Sequence, residues 1–381
     1  MTAATVAMPA IDPPTSLPVV AGHTALLLLV DTPVARFIEI PVPLPDLAAP
    51  FFDRAMAQLA CVQQPSPHIK APKAATVAER AQLILDKLSA TKYCRVRPKV
   101  PEQFLRFIGR CIEAGQPIPF ILGHGPIKNR NNSPVAHVDW AELLSYIQLS
   151  RLANDVKALH EPGMTVSLYI DDARSHFAND IPFDVMDAYR QSINRLLAAT
   201  GLDQLIVEVV SFRQLYDNHA HYFCLDEALV WAEKWRSDPT HAQDWVDLVC
   251  HAHRNLVFDA DTPDAEKQRK AEDSAFRYLW GHKAEQECGI WDRPDVLYMR
   301  YSPHQGFYQI FTMRKGSVSQ PWQGQGCLVL TDQGKVDPTL YTVSKRHTHG
   351  VVGVVETPLQ LGDPASMLRG QFDRLAIITA R

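Results

Sequence analysis

The chain has 381 residues, of which 46% are hydrophobic and 21% charged, and 38 basic against 42 acidic residues give a net charge of −4. These values are ordinary for a globular protein with one elaborated domain or two. Because no region carries a dense basic run, the sequence gives no electrostatic argument for nucleic acid or an acidic membrane as a partner.

The N-terminal segment and the cysteines indicate the compartment. Residues 1–18 are rich in Ala, Pro and Thr and lack the positively charged start of a signal peptide. The apolar run at 25–30 is too short to span a bilayer. Seven scattered cysteines without a CxxC pair are typical of reduced thiols. We therefore expect a cytoplasmic protein.

Three regions are predicted along the chain. Residues 1–20 are expected to form a flexible tail, and residues 20–75 a small strand and helix appendage bounded by Pro-rich stretches. Residues 78–381 are expected to form an α/β catalytic domain. The apolar strands of the appendage, near 26–30 and 36–40, would offer an edge for a homodimer.

Helical and strand patterns alternate from about residue 78. The predicted elements, in chain order, are helices at 77–88 and 101–114, a strand at 118–122, a helix at 140–160, a strand at 165–170, a helix at 184–200 and a strand at 205–210. Because each strand is almost wholly apolar, the pattern predicts a parallel sheet covered on both faces.

A helical insertion is predicted at about 226–287, with helices at 226–236, 242–256 and 264–287. Strands at 297–301, 308–313 and 327–330 then follow and are expected to extend the sheet. The predicted fold class is therefore α/β, with a doubly wound, mainly parallel, Rossmann-like sheet.

Charged side chains follow all three predicted strands of the first half. Lys128 comes after the first strand, Asp171, Asp172 and Arg174 after the second, and Arg213 after the third. In an open parallel sheet the ligand crevice lies outside the carboxyl ends of the strands. The sequence therefore predicts a site that combines acids, a base and groups that bind an anion.

The loop after the first strand is the strongest single candidate. It carries Lys128, Arg130 and three asparagines and leads into a helix whose start, Asp139 to Glu142, fits a capping box. A helix N-terminus beside two cations favours a phosphate or a carboxylate. Both acids of the capping box also have a purely structural interpretation, and the two interpretations are compatible.

The sequence patterns for other chemistries are weaker. Three His-x-His pairs occur without a carboxylate at metal-site spacing, so a metal site is not predicted. His137 and Asp139 with His304 would make the facial triad of a non-haem Fe(II) oxygenase, although Asp139 is already assigned to the helix cap. No GxGxxG, Walker A or Gly-x-Ser-x-Gly sequence supports nicotinamide, nucleoside triphosphate or hydrolase chemistry.

Taken in order, several segments carry a resemblance to a known family. They are the 115–122 segment, the Pro126-Ile-Lys128 turn with Asn131 downstream, the helix start at Asp139 to Glu142, His160-Glu-Pro-Gly163, Asp171-Asp172 with Arg174, the 297–301 strand with Ser302-Pro-His304 after it, and Gln320-Pro-Trp-Gln-Gly324. Over about residues 80–330 the chain resembles the isonitrile synthase family, also called the pyoverdine/dityrosine-biosynthesis family.

The resemblance implies a cofactor-free enzyme of secondary metabolism with two small-molecule substrates. It joins the α-amine of a free amino acid to the keto carbon of ribulose 5-phosphate, and the product is an isonitrile or a formamide. Lys128 and Arg130 would then hold the phosphate, with a Schiff base on Lys128 as the alternative. Arg174 or Arg213 would hold the amino-acid carboxylate.

Proton transfers in this reaction would be carried out by His304 with Asp171 or Asp172. Asn131, Glu142 and Trp322 complete the candidate substrate-binding residues, although packing is the simpler role for Trp322. An Fe(II) oxygenase and a non-catalytic α/β module that binds a phosphorylated metabolite remain as alternatives.

Overall fold

The structure described here is a computed structural model, which covers most of the chain from residue 43 onward. The described residues are 43–70, 76–94, 98, 101–129, 131, 137–216, 226–287, 295–300, 308–309, 320–359, 361, 368 and 371–380. The predicted tail, the two predicted N-terminal strands, Arg130 and His304 lie outside these ranges. The domain boundaries therefore stay a prediction.

The helices predicted between residues 77 and 287 are confirmed, each within three residues at either end. The helices are Leu44–Leu59 (α1), Val77–Leu88 (α2), Pro101–Ala114 (α3), Trp140–Lys157 (α4), Asp172–Asn179 (α5), Phe183–Thr200 (α6), Phe212–Tyr216 (α7), Asp226–Ser237 (α8), Ala242–Asn255 (α9), Asp264–Glu287 (α10) and Val343–Thr348 (α11). None of those within the described ranges is long and apolar enough to cross a bilayer.

The strands form two sheets. They are Ile118–His124 (β1), Met164–Ile170 (β2), Ile206–Ser211 (β3), Leu297–Arg300 (β4), Tyr308–Gln309 (β5), Gln325–Leu330 (β6), Val336–Tyr341 (β7), His349–Glu356 (β8) and Arg374–Ala380 (β9). The first sheet has the order β3-β2-β1-β4-β5, and every neighbouring pair is parallel. The predicted doubly wound α/β fold is thereby confirmed.

The order of the first sheet reverses beside β1, because β2 pairs on one side of this strand and β4 on the other. The chain therefore continues from β1 to β2 on one side of β1 and returns from β3 to β4 on its other side, and this reversal opens a crevice at the carboxyl ends of the strands. Phe120, Ile121 and Leu122 of β1 are at most 1% exposed, and because successive side chains point to opposite faces, this central strand is covered on both faces.

The second sheet corrects one sequence prediction. The strand expected at 327–330 was assigned to the parallel sheet, and this assignment is wrong. It forms β6 of a separate sheet with the order β7-β6-β9-β8, in which β6 runs antiparallel to β7 and parallel to β9. An apolar run predicts a strand, but the long-range pairing that decides its sheet leaves no local pattern.

Helix α4 is the hydrophobic centre of the molecule and links the two sheets. Apart from Arg151, every residue from Trp140 to Val156 is buried, which a helix between layers requires. Trp140 packs against Phe52 of α1, with ring centroids 5.7 Å apart. On its other side β6 approaches so closely that a Cβ on Gly326 would lie 2.4 Å from the backbone nitrogen of Ala141.

Candidate active site

A cavity of about 270 Å³ lies at the carboxyl edge of the parallel sheet, between the ends of β1 and β2 and the helices α9 and α10. The side chains that matter most to its chemistry are those of His124, Asp171, Arg174, Tyr278, His282 and Trp322. It occupies the crevice that the strand-end argument predicts. The helical insertion forms the wall opposite the sheet.

The turn after β1 is fitted against Trp322. A Cβ on Gly125 would lie 2.4 Å from the indole ring, whereas a Cβ on Gly123 would meet no atom within 4 Å. The backbone N–H of Asn129 donates to the carbonyl of Trp322 at 2.7 Å. Trp322 is thereby held in the cavity wall, where a substrate-binding residue needs to be, and that role stays a prediction.

His124 is a cavity residue that the sequence did not single out. Its Nδ1 donates to the carbonyl of Gly125 at 2.9 Å, and its Nε2 accepts from the hydroxyl of Tyr146 at 3.1 Å. Burial lowers the pKa of His124 to about 4, so the ring is neutral near pH 7. Because the ring centroid lies 4.6 Å from that of Trp322, His124 shapes the wall without adding charge.

Four ionisable side chains from α5, α10 and the end of β2 meet at one side of the cavity: Asp171, Arg174, His282 and Glu285. We call them the Arg174 cluster. Nη2 of Arg174 donates to Oδ2 of Asp171, and Nη1 donates to Oε2 of Glu285 at 3.0 Å and to Nδ1 of His282 at 3.1 Å. The guanidinium also lies 4.6 Å from the ring centroid of Tyr278.

The two carboxylates of the Arg174 cluster share one guanidinium. Burial raises the pKa of Asp171 to about 7, the charge of Arg174 opposes this shift, and the carboxylate of Glu285 adds to it. An acid that titrates near neutrality can accept a proton and return it under physiological conditions. Asp171 therefore combines the position and the acidity that the predicted proton transfers need.

Asp172 and Arg213 have other partners. The side chain of Asp172 is 2% exposed and accepts from the hydroxyl of Ser211 and from the backbone N–H of Arg213, the latter at 3.0 Å. The guanidinium of Arg213 pairs with Asp187 at 3.0 Å. Asp172 thus joins the ends of β2 and β3, and neither residue is among the described residues that line the cavity.

Lys128 is buried in a second charged group, which we call the Lys128 cluster and which comprises Lys128, Asp139 and Glu142. The ammonium is 2.8 Å from Oε2 of Glu142 and 3.0 Å from Oδ1 of Asp139. It also donates to the carbonyls of Pro321 and Gly324, each at 3.0 Å. The side chain is 1% exposed and is not among the described lining residues. Its roles in phosphate binding or a Schiff base stay predictions.

The capping box predicted at the start of α4 is confirmed. Oδ1 of Asp139 accepts from the N–H of Ala141 at 2.7 Å, and Oε2 of Glu142 accepts from the N–H of Asp139 at 2.9 Å. Glu142 also accepts from the hydroxyl of Tyr189 at 2.7 Å. Burial raises the pKa of Glu142 to about 7 against the opposing charge of Lys128. Glu142 is fully buried, and its substrate-binding role stays a prediction.

Asn131 ties the β1 loop to the helical insertion. Its Nδ2 donates to the carbonyls of Arg254 and Leu256, at 2.6 and 2.9 Å. The contacts explain how the loop is held over the end of α9. Arg130 and His304, the remaining predicted site residues, lie outside the described residues.

The metal-dependent alternative meets a geometric difficulty at Asp139. Its Oδ1 already caps α4, accepts from the N–H of Gly326 at 3.2 Å and faces Lys128. In the described part of the chain, no three His, Cys, Asp or Glu side chains are grouped to hold a metal ion. The set of His137, Asp139 and His304 stays a prediction, because His304 is not described.

Sequence reasoning missed the side chains that α10 contributes to the cavity and to the Arg174 cluster. Glu285 and His282 are more than 100 residues from Arg174 along the chain. Both lie in a segment that was interpreted only as part of a helical insertion. No sequence signal identified Glu285, because its burial (1% exposed) on a mostly polar helix, which requires a cation beside it, is visible only in the structure.

Comparisons with known proteins agree with this architecture. A family model described as "Pyoverdine/dityrosine biosynthesis protein" matches residues 108–278. The crystal structure of PvcA from Pseudomonas aeruginosa is similar over 73% of this chain and 96% of its own, with 20% identity and a TM-score of 0.56. Tyrosyl-tRNA synthetase from Aeropyrum pernix covers 75% of this chain and 66% of its own, at 13% identity and a TM-score of only 0.29.

No curated protein matches this chain. The likeness to PvcA at 20% identity shows a shared fold, and the family model covers β1 to β3 together with most of the helical insertion. Asp171 and Arg174 fall inside the matched range, whereas Glu285 and Trp322 fall outside it. The resemblance found in the sequence is thereby confirmed: residues 108–278 match the model of the pyoverdine/dityrosine biosynthesis family.

Proposed function

We propose that this chain is an isonitrile-synthase-like enzyme. It condenses the α-amine of a free amino acid with the keto carbon of ribulose 5-phosphate and releases that carbon as an isonitrile or a formamide. The family match supports a biosynthetic enzyme, and the finer assignment of the reaction is ours.

The observation that carries the proposal is the position of Asp171 and Arg174. Both line a cavity at the carboxyl edge of the sheet, beside the strand where the sheet order reverses. In doubly wound sheets this is where small ligands bind. The side chains there are those that imine chemistry on an amino acid needs, namely an acid that titrates near neutrality and a cation.

Imine formation requires an α-amine that has lost its proton, and the later cleavage of a carbon–carbon bond requires further proton transfers. Asp171, with its pKa raised to about 7 by burial, can take and return these protons at neutral pH. His304 remains the proposed partner in these steps. His124 is excluded as a base near pH 7, because both of its nitrogens have protein partners.

The sugar phosphate needs a cation of its own. Lys128 contacts two carboxylates and two carbonyls, so its charge is already balanced by the protein. We therefore assign the phosphate to Arg130 and to the backbone amides of the loop, which the sequence places directly after Lys128.

The test is mass spectrometry on the purified protein with the twenty standard amino acids and ribulose 5-phosphate labelled at the keto carbon. The proposal predicts loss of one amino acid and a product that carries the label. It also predicts that Asp171→Asn forms this product at least about 100-fold more slowly, whereas the matched variant Asp187→Asn, whose carboxylate pairs with Arg213 away from the cavity lining, forms it at the wild-type rate. Ligand-dependent stabilisation with both substrates intact would instead favour the non-catalytic binding module.

A further inference from the structure

Within the Arg174 cluster, Oδ1 of Asp171 and Nε of Arg174 are buried and have no hydrogen-bond partner among the described residues. Such atoms are costly to leave unpaired, because each loses its hydrogen bonds to water. Both residues line the cavity. One orphan is an acceptor on a carboxylate and the other is a charged donor on a guanidinium.

We propose that this pair of atoms is the binding site for the charged end of the amino-acid substrate. Oδ1 of Asp171 accepts from the α-ammonium, and Nε of Arg174 donates to the α-carboxylate. The inference rests on the proposed function and goes beyond it, since it assigns both charged groups of one substrate to two named atoms.

The remaining contacts of Arg174 show that Nε is the guanidinium nitrogen without a partner among the described residues. Nη2 donates to Asp171, and Nη1 donates to Glu285 and His282. The ring of Tyr278 lies against the guanidinium at 4.6 Å. Each of these contacts restricts rotation of the side chain, so the free N–H keeps one direction. Arg174 is thereby pre-organised for a planar carboxylate.

The charges of the cluster decide which ligands it selects. Two carboxylates, Asp171 and Glu285, face one guanidinium, so the ionised cluster has one excess negative charge. An ammonium group offsets that excess, whereas a lone carboxylate is repelled by it. We expect the site to bind an α-amino acid well. It should bind the amine that shares this side chain but lacks the carboxylate less tightly, and the carboxylic acid that lacks the amine least tightly of the three.

The same geometry makes amine binding dependent on pH. Because Asp171 titrates at about 7 without ligand, affinity for an amine should rise as pH increases from 6 to 8, until the amine itself loses its proton. The ionisable groups that face Asp171 from the neighbouring elements are His124 of β1, Asp172 and Arg174 of α5, and Tyr278, His282 and Glu285 of α10.

The first experiment uses the wild-type full chain. Calorimetry with each of the twenty standard amino acids identifies the tightest ligand, and the amine and the carboxylic acid that share its side chain are then measured. The expected affinity for the acid is about 10- to 100-fold below that for the amine, the range expected for one lost charged hydrogen bond. Equal affinity for amine and acid, or no binding by any amino acid, overturns the proposal.

Two variants then test the atoms separately. Asp171→Asn should lower affinity for the amino acid and the amine about 10-fold or more and leave the acid no weaker. Arg174→Lys keeps the charge but has no Nε–H in that position. In this variant the amino acid should therefore bind no more tightly than the amine. Asp187→Asn is the control and should bind as wild type. Unchanged ligand ranking in both test variants contradicts the assignment.

This experiment separates the binding assignment from the reaction. If the amino acid binds with the expected ranking but no labelled product forms, the zwitterion site stands and the isonitrile reaction fails. If labelled product forms but the ranking survives Asp171→Asn, the reaction stands and the site assignment fails.

Discussion

In both the Lys128 cluster and the Arg174 cluster a cation lies between two carboxylates, but the surroundings of the two clusters differ. In the Lys128 cluster the ammonium is 1% exposed and contacts two backbone carbonyls besides Asp139 and Glu142. In the Arg174 cluster, Asp171 and Arg174 line a cavity, and each retains a buried polar atom without a partner among the described residues.

This difference separates a structural ion cluster from a candidate binding site. The Lys128 cluster joins the β1 loop, the start of α4 and the segment before β6, so its charges are used in holding these parts together. The Arg174 cluster has capacity left for a ligand. The sequence pattern with the stronger signal, a basic loop before a helix, belongs to the structural cluster.

The largest expected effect is on stability, from Lys128→Met. Removal of the ammonium leaves Asp139 and Glu142 buried without their cation, which costs roughly 3–5 kcal/mol of unfolding free energy. Urea denaturation measures this. The control is Lys92→Met, because Lys92 pairs with Asp155 at 2.7 Å but is 49% exposed, and we expect a loss of about 1 kcal/mol or less. Equal losses of unfolding free energy in the two variants would show that Lys128 stabilises the fold no more than an exposed ion pair does.

Asp171→Asn should lower activity strongly and change stability little. Arg174 keeps Glu285 as a partner, so the unfolding free energy should change by about 1 kcal/mol. The rate constant kcat should fall about 100-fold or more, because the acid that transfers protons is lost. Product formation measured by mass spectrometry gives the rate. A variant that turns over as fast as wild type would remove Asp171 from the mechanism.

Gly125→Ala tests the link between the two clusters. The added Cβ would lie 2.4 Å from the ring of Trp322, whose neighbours Pro321 and Gly324 are held by Lys128. We expect a loss of about 1–3 kcal/mol in stability and a higher KM. The comparison variant is Gly123→Ala, where no atom lies within 4 Å of the new Cβ. If the two variants melt at the same temperature, the close packing at Trp322 is not required.

The smallest expected effect is the pH dependence of kcat/KM. Since burial raises the pKa of Asp171 to about 7, the ionised base is lost as pH falls through that value. The parameter should therefore drop about tenfold between pH 8 and pH 6. Asp171→Asn should flatten this limb of the profile. An unchanged inflection in the variant would assign the titration to another group.

Much of the fold could be predicted from the sequence, because its signals are local. The helix at 101–114 carries a regular apolar stripe, and the apolar strand at 118–122 lies between prolines and glycines. The capping box at Asp139 is likewise a short-range pattern. The second sheet was missed, since β7 was not among the predicted strands and β6 pairs with β9 across a long stretch of chain.

The candidate site could be predicted in part. The strand-end rule identified Asp171 and Arg174, which line the cavity. It also selected Asp172 and Arg213, which do not line it; the backbone N–H of Arg213 donates to Asp172 instead. Neighbouring positions in a sequence do not reveal which side chain faces a cavity. The contribution of Glu285 depends on how α10 packs across the edge of the sheet, and this contact has no counterpart in local sequence.

The most direct test of the account is a crystal structure of the full chain with its preferred amino acid bound. The account predicts the α-ammonium within hydrogen-bonding distance of Oδ1 of Asp171 and the α-carboxylate at Nε of Arg174, with the contacts of Lys128 unchanged. An amino acid bound against Lys128, or bound away from Asp171, would contradict the distinction between the structural cluster and the binding site.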